Sequence, residues 1–406
     1  MDINESEDLI QLEGFHSANI IKVIGVGGGG DNAVAHMYTV GNIASVNYLA
    51  CNTDKKSLDD CPVPERLLLG DGLGVGGKPE KARQYAEEGI DKIIDSFGSD
   101  TRMVFITAGL GGGTGTGAAP VIAREAKARG LLTIGIVTLP FEFERERQIK
   151  RALIGLEEMQ KNVDAMLVIN NQRLIELYPD LGIVNAFRRS DDVLTIAVRS
   201  IVEIITMHGK WNLDFEDVKT VLQNGGMAIM STGMAEGDDR VTRAISGALH
   251  SPLVNHNSFY KARRIVMLIT SSSKEEEQLS MQEMSEISAF MKQFKKDVFA
   301  KFGIKIDDSV GKNVKITLLA SGYNQDGNAD EDNTPEEDDW ELMRRIGEWY
   351  GPENAPRNAR KPVNKYIFDL ADLDNEDIIA LVEETPAYKR RRSTLDKIKE
   401  IKNNSL

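Results

Sequence analysis

The chain has 406 residues, 41% of them hydrophobic and 28% charged, with a formal net charge of -14 at pH 7. That length leaves room for two domains and a tail, and the acidic balance argues against non-specific nucleic-acid binding, which needs a basic surface. Its two cysteines, Cys51 and Cys61, read as thiols of a reducing compartment rather than as a disulfide framework.

Residues 1–18 read as an N-terminal extension. The opening "MDINESEDLIQLEGF" is acidic and lacks the basic and apolar regions of a secretory signal. No run approaches the roughly 18 apolar residues that span a bilayer. A soluble, cytoplasmic protein is expected, with no direct membrane insertion and any membrane contact borrowed from a partner.

From Ile20 to Asn171 short apolar runs alternate with helix-spaced stretches. The runs are "IIKVIGV", "SVNYLACN", "RMVFITAG", "LLTIGIVTLP" and "DAMLVINN"; "DNAVAHMYTVG" and "GAAPVIAREAKARG" lie between them. This alternation predicts βαβ units and a buried parallel sheet, in which ligands bind at the carboxyl ends of the strands. The expected fold class is α/β: a Rossmann-like parallel-sheet domain over 19–220 that ends in a central helix (191–208). A smaller α+β domain over 221–322 follows, then a disordered tail made of an acidic linker (323–378) and a terminal peptide with a basic end (379–406).

Two glycine loops sit at the carboxyl edge of the predicted sheet. "GVGGGGDNAV" matches GxGxxG between a strand and a helix, a pattern that serves dinucleotides, mononucleotides and plain tight turns alike. Asp54, at the end of the next strand, occupies the place of a ribose-binding acid in a dinucleotide fold. "GGGTGTG" (Gly111–Gly117) is not required by a dinucleotide fold and lacks the GK[ST] of a P-loop. Its glycines allow backbone N–H groups to approach an anion, threonine hydroxyls add donors, and the following helix start adds its positive dipole end. Two such loops can hold a di- or triphosphate without side-chain cations, leaving the remaining charge to a bound Mg²⁺. A third stretch, "GDGLGVGGKPE", carries Gly76, Gly77 and Lys78 and could close over the terminal phosphate.

Asp191 and Asp192 are expected to open the central helix, "DDVLTIAVRSIVEIITMHG", where acids suit the N-cap and the dipole. Its apolar residues leave little polar surface, which predicts packing on most sides. "KWNLDFEDVK" follows. Asp214 and Asp217, three apart, fall on one face of a helical turn, and with Asn212 alongside they could polarise a water. The alternative is an ordinary acidic helix N-terminus. The central helix should carry this loop away from the glycine loops, so that it acts only on a nucleotide held by another copy.

In this order, "VIGVGGGGDNAV", "CNTD", "GGGTGTGAAPVIA", "PFEFE" and "NLDFEDV" resemble the tubulin/FtsZ superfamily, and within it the bacterial cell-division GTPases. The resemblance implies a GTP-binding domain and head-to-tail polymerisation into a midcell division ring, with GTPase sites completed between subunits. It implies that Gly28, Gly29, Gly30, Asp31, Asn32, Gly115, Thr116 and Gly117 lie along the phosphates of GTP or GDP, with Gly76 and Gly77 over the last one. Glu144 would meet the ribose, Asn171 and Asp192 would read the guanine with Asp191 beside them, and Phe187 would pack on its ring. Asp214 and Asp217, with Asn212, would position the attacking water, and Mg²⁺ would be carried by the phosphates rather than by a protein metal site. Gln148 stands where the family usually has arginine, and Arg145 or Arg147 is expected to replace it. The segment "ETPAYKRRR" (Glu384–Arg392) resembles the peptide that docks onto membrane-tethering partners such as FtsA. Two other readings compete: an NAD-dependent oxidoreductase resting on Asp54 and one glycine loop, and a scaffold that binds nucleotide without hydrolysis.

Overall fold

The apolar runs of the first half form strands, as their length and β-branched content dictate. In the computed structural model the described residues are 19–41, 43, 45–177, 180, 182–206, 213–249, 259–294 and 298–323, with 345–349, 378–380, 382 and 401. The chain divides into two units, Met1–Asp332 and Asn333–Leu406. In the second, residues 345–349 are helical; the sheet and its loops belong to the first.

Strands β1 (Ile21–Val26), β2 (Val46–Asn52), β3 (Glu65–Leu68), β4 (Met103–Gly109), β5 (Leu132–Leu139) and β6 (Ala165–Asn170) are parallel, in the order β3-β2-β1-β4-β5-β6. That is the order of a doubly wound dinucleotide fold, so the sheet alone does not choose between the competing readings. Helices α1 (Gly27–His36), α2 (Lys55–Asp60), α3 (Pro79–Glu88), α4 (Ile90–Phe97), α5 (Thr114–Ala128), α6 (Glu146–Asn162) and α7 (Asn171–Leu177) fill the crossovers. All six residues of β1 are buried, as expected of a strand covered on both faces.

Helix α8 runs from Ile183 to Thr206, so Asp191 and Asp192 lie in its middle rather than at its N-terminus. The correction has a simple cause: "IVNAFRRS" contains no proline or glycine after Gly182, and Gly182 O accepts the first helical bond from Ala186 N. The helix buries Leu194, Ala197, Val198, Ile201, Val202 and Ile204 against the sheet core but leaves Ile196 50% exposed. It is therefore packed on one broad face, not on most sides.

Helix α9 (Phe215–Leu222) leads into β7 (Gly226–Ala235), which touches β6 only at Ala165↔Gly226 and Met166↔Met227. Beyond it come α10 (Arg240–Leu249), β8 (Arg264–Ser271), α11 (Met281–Met291), β9 (Phe299–Ile306) and β10 (Val314–Ser321). The sheet continues as β7-β10-β8-β9, with β10 antiparallel to both neighbours and β8 parallel to β9. A second core, with Ile245, Phe259, Met267, Phe290 and Ile316, fills this part. Among the described residues no helix is long and apolar enough to cross a membrane.

Candidate functional site

Three glycine loops meet at the carboxyl edge of the parallel sheet. Strands β1 and β4 are neighbours, with Val26 opposite Ala108; β1 runs directly into α1, and β4 reaches α5 through the turn Leu110–Gly113. Neither α1 nor α5 has a side-chain cap at its N-terminus, so the first-turn N–H groups of both helices remain for an outside acceptor. Both helices point their positive dipole ends the same way. A Cβ on Gly27, whose φ is +73°, would lie 2.8 Å from Gly115 N; the two loops can touch only because neither carries a side chain there. A Cβ on Gly113 would lie 2.5 Å from Val75 and 3.1 Å from Lys78 N, and one on Gly117 only 2.0 Å from Pro79 O. Gly76 and Gly77 are thus carried to the rim of the phosphate-type loop by α3, which also starts without a side-chain cap.

Not every residue expected along the phosphates faces outward. Gly28, Gly29 and Asn32 are exposed, whereas Gly30, Asp31 and Gly117 are buried. Gly30 and Gly117 serve close packing. Thr116 Oγ1 accepts from Gly111 N at 2.9 Å, and Thr114 and Thr53 share a hydroxyl hydrogen bond of 2.7 Å. The threonines therefore brace the loop from inside, and its donors toward an anion are backbone N–H groups. Asp31 turns under the loop, where Asn52 Nδ2 donates to its Oδ2 at 2.6 Å while Oδ1 is buried with no side-chain partner among the described residues. Burial pushes this carboxyl up to about 7, against the lowering effect of the Asn52 bond. Asp54 caps α2, its Oδ1 accepting from Lys56 N and Ser57 N.

The next part of the rim, after β5, is aromatic. Phe141 is buried; Phe143 stacks on it at 5.0 Å and Phe187 meets it edge-on at 5.1 Å. Phe187 itself is 44% exposed, leaving a ring face for a planar ligand. Glu144 Oε1 accepts from Phe141 N at 3.0 Å, closing a turn that delivers Arg145 at φ 75°, ψ 158°. The backbone carbonyl of Gln148 lies 3.0 Å from where a Gly111 Cβ would be, so this position touches the glycine loop through its main chain. Asn171 is buried, its Oδ1 accepting from Ser190 Oγ at 2.8 Å. Asp192 Oδ1 lies 2.8 Å from His36 Nε2 at the end of α1, and Oδ2 lies 3.5 Å from Arg189. Burial raises the neighbouring Asp191 carboxyl to about 6, with His36 pulling it down and Asp192 pushing it up. Nothing local in the sequence marks His36; only the packing of α1 on α8 pairs it with Asp192.

Asp214 and Asp217 form a capping box on α9. Asp217 N donates to Asp214 Oδ1 at 2.8 Å, and Asp214 N donates to Asp217 Oδ2 at 3.3 Å. The ordinary reading of this motif is therefore realised, and it fixes the two carboxylates beside each other. Asn212 lies outside the described residues. The C-terminal end of α9 is tied to the amino edge of the parallel sheet: Asn224 N and Gly226 N both donate to Asp164, which immediately precedes β6. The glycine loops lie at the opposite, carboxyl edge. Along α8 the rise from Asp192 to Thr206 is roughly 20 Å, beyond the reach of any side chain.

Comparison with known proteins gives the same outline. A family profile described as "Tubulin/FtsZ family, GTPase domain" matches residues 20–179, "FtsZ family, C-terminal domain" matches 226–324, and "FtsZ, C-terminal" matches 360–405. The "Cell division protein FtsZ" of Porphyromonas gingivalis is 46% identical, over 94% of this chain and 88% of that protein. Among solved structures, "FtsZ dimer, empty (M. jannaschii)" superposes with a TM-score of 0.66 at 35% identity, covering 75% of this chain and 88% of that one. "CetZ2 from Haloferax volcanii - GTPgS bound protofilament" gives a TM-score of 0.65 at 19% identity, over 82% and 99% of the two chains, a likeness of fold.

Proposed function

Because the chain belongs to the tubulin/FtsZ family, we propose that its three glycine loops hold the phosphates of GTP and that the acidic loop of the next subunit completes the site. It is a GTPase of cell division that assembles with itself. The observation that carries the shared-site reading is the position of the two half-sites on opposite edges of one sheet, with α8 between them. Neither half can reach the other within one subunit. A head-to-tail contact of this kind is heterologous and, unless it closes, propagates as a filament.

In this reading the N–H groups opening α1 and α5 bind the phosphate oxygens, and Gly76 and Gly77 cover the last phosphate. Glu144 faces the ribose with the oxygen that does not accept from Phe141, Phe187 packs on the base, and Asn171 and Asp192 read its polar edge, with His36 orienting Asp192. Such sites work mainly by positioning and charge stabilisation. The loops offer backbone N–H donors to phosphate. That donor set suits Mg²⁺ carried by the phosphate oxygens, where it would supply charge neutralisation. The dinucleotide-oxidoreductase reading has no support in the comparisons, whose matches are to the tubulin/FtsZ family.

Two further parts belong to the proposal. Domains over 19–220 and 221–322 are proposed, a division that the profile matches at 20–179 and 226–324 support. The segment Glu384–Arg392, which lies outside the described residues, would dock onto tethering partners such as FtsA and bring the filament to a midcell ring; the profile match over 360–405 supports a terminal segment of the family's kind. Phosphate release from GTP, measured against protein concentration alongside light scattering, tests the shared site. Turnover should stay near zero until scattering appears and then rise; activity linear from zero concentration would sink the mechanism.

A further inference from the structure

The acidic loop is paired with a cation that the proposed mechanism does not use. Lys301, in β9, reaches across to α9, and its Nζ lies 3.0 Å from Asp217 Oδ1. The same strand seats the loop by packing: a Cβ on Gly303 would fall 2.7 Å from Leu213 Cδ1, and Leu213 is buried. Residues two apart share a strand face, so β9 grips the loop with one apolar and one ionic contact. Among the described residues the other nearby cations are committed elsewhere, Lys219 to Glu216 and Arg264 to the carbonyls of Thr220 and Gln223.

Counting oxygens separates the two aspartates. Asp214 Oδ1 and Asp217 Oδ2 each accept a backbone N–H in the capping box, and Asp217 Oδ1 faces the Lys301 ammonium. Among the described residues only Asp214 Oδ2 has no partner, and Asp214 is exposed while Asp217 is half-buried. Resting on the function proposed above, we infer that Lys301 is a positioning residue for hydrolysis: it fixes Asp217, which through the capping box aims Asp214 Oδ2 at the neighbour's nucleotide. In the step it serves, a water oxygen bonds to the γ-phosphorus as the bond to the bridging oxygen breaks. The bonding pair leaves with GDP, and the water's proton passes by way of the Asp214 carboxylate to the released phosphate.

A half-exposed ion pair contributes little to folding, so removing it should register in turnover rather than in assembly. Full-length Lys301→Ala and Lys301→Arg are compared with the parent and with Asp214→Ala, using GTP turnover per assembled subunit, KM for GTP, critical concentration by sedimentation, and thermal unfolding. Lys301→Ala should lower turnover about tenfold, a misalignment effect, with KM, critical concentration and unfolding midpoint unchanged; Lys301→Arg should restore it to within about twofold. Turnover of Lys301→Ala within twofold of the parent, or a loss matched by an equal rise in critical concentration, overturns the inference. Asp214→Ala keeps the two levels apart. If it hydrolyses GTP normally, the shared-site reading itself fails. If it is slow while Lys301→Ala is normal, only the role of Lys301 fails.

Discussion

At the residue scale the glycines and Asp31 make opposite demands on the phosphate edge. Gly28 is exposed, and a Cβ there would meet nothing within 4 Å, whereas one on Gly117 would lie 2.0 Å from the backbone oxygen of Pro79. Gly28→Ala should therefore leave thermal unfolding unchanged and weaken GTP binding, because the added methyl occupies only the space of a ligand. Gly117→Ala should cost about 1–3 kcal/mol of stability as well; equal unfolding midpoints for the two variants would contradict this. Asp31 sets a pH dependence. Its folded carboxyl is raised from 3.8 to about 7, so between those values the folded state holds a proton that the unfolded state has lost. Stability from this group is therefore full below about 4, falls as pH rises through 7, and is then gone. Asp31→Asn keeps an acceptor for Asn52 without the charge. Urea unfolding should show it gaining a few kcal/mol at most on the parent between pH 5 and pH 8, and a constant difference would refute the assignment.

At the element scale, the turn between β5 and α6 carries the next prediction. Arg145 sits at φ 75°, ψ 158°, a region that essentially only glycine occupies without strain. Arg145→Gly should stabilise the fold by about 1 kcal/mol. If Arg145 replaces the arginine missing at Gln148, the same change should weaken GTP binding, and with Arg147→Ala added the loss should deepen. Unchanged affinity in the double variant would remove both arginines from the site. The elements themselves are largely legible in the sequence. Continuous apolar runs bounded by glycine mark the buried parallel strands, because burial on both faces leaves no alternation to confuse. β3, only "ERLL" and half exposed, has no such signal. The start of α8 is hidden because two acids look like a cap when the preceding helical turns are mixed in polarity. The glycine loops and the Asp214–Asp217 pair are legible because their chemistry is contiguous in sequence. Asn52 under Asp31, His36 on Asp192 and Lys301 on Asp217 are not, since each pairing joins residues that only tertiary packing brings together.

At the scale of the whole molecule the proposed shared site would make each subunit directional, one edge carrying nucleotide and the other carrying the acids. This predicts complementation between two inactive variants. Asp214→Ala retains the nucleotide edge; it should still bind GTP and polymerise but hydrolyse slowly. Gly28→Glu retains the acidic edge and places a carboxylate where the phosphates lie, at a position open enough to accept it without refolding. Each alone should turn over little GTP. Mixed in equal amounts, about one interface in four would join an intact nucleotide edge to an intact acidic edge, and turnover should reappear in the mixture. A site contained within one subunit has no route to such recovery, because every molecule in the mixture carries one broken half. Phosphate release from the mixture no greater than the sum of the separate variants, with sedimentation showing that both enter the same polymer, would rule out sharing between subunits.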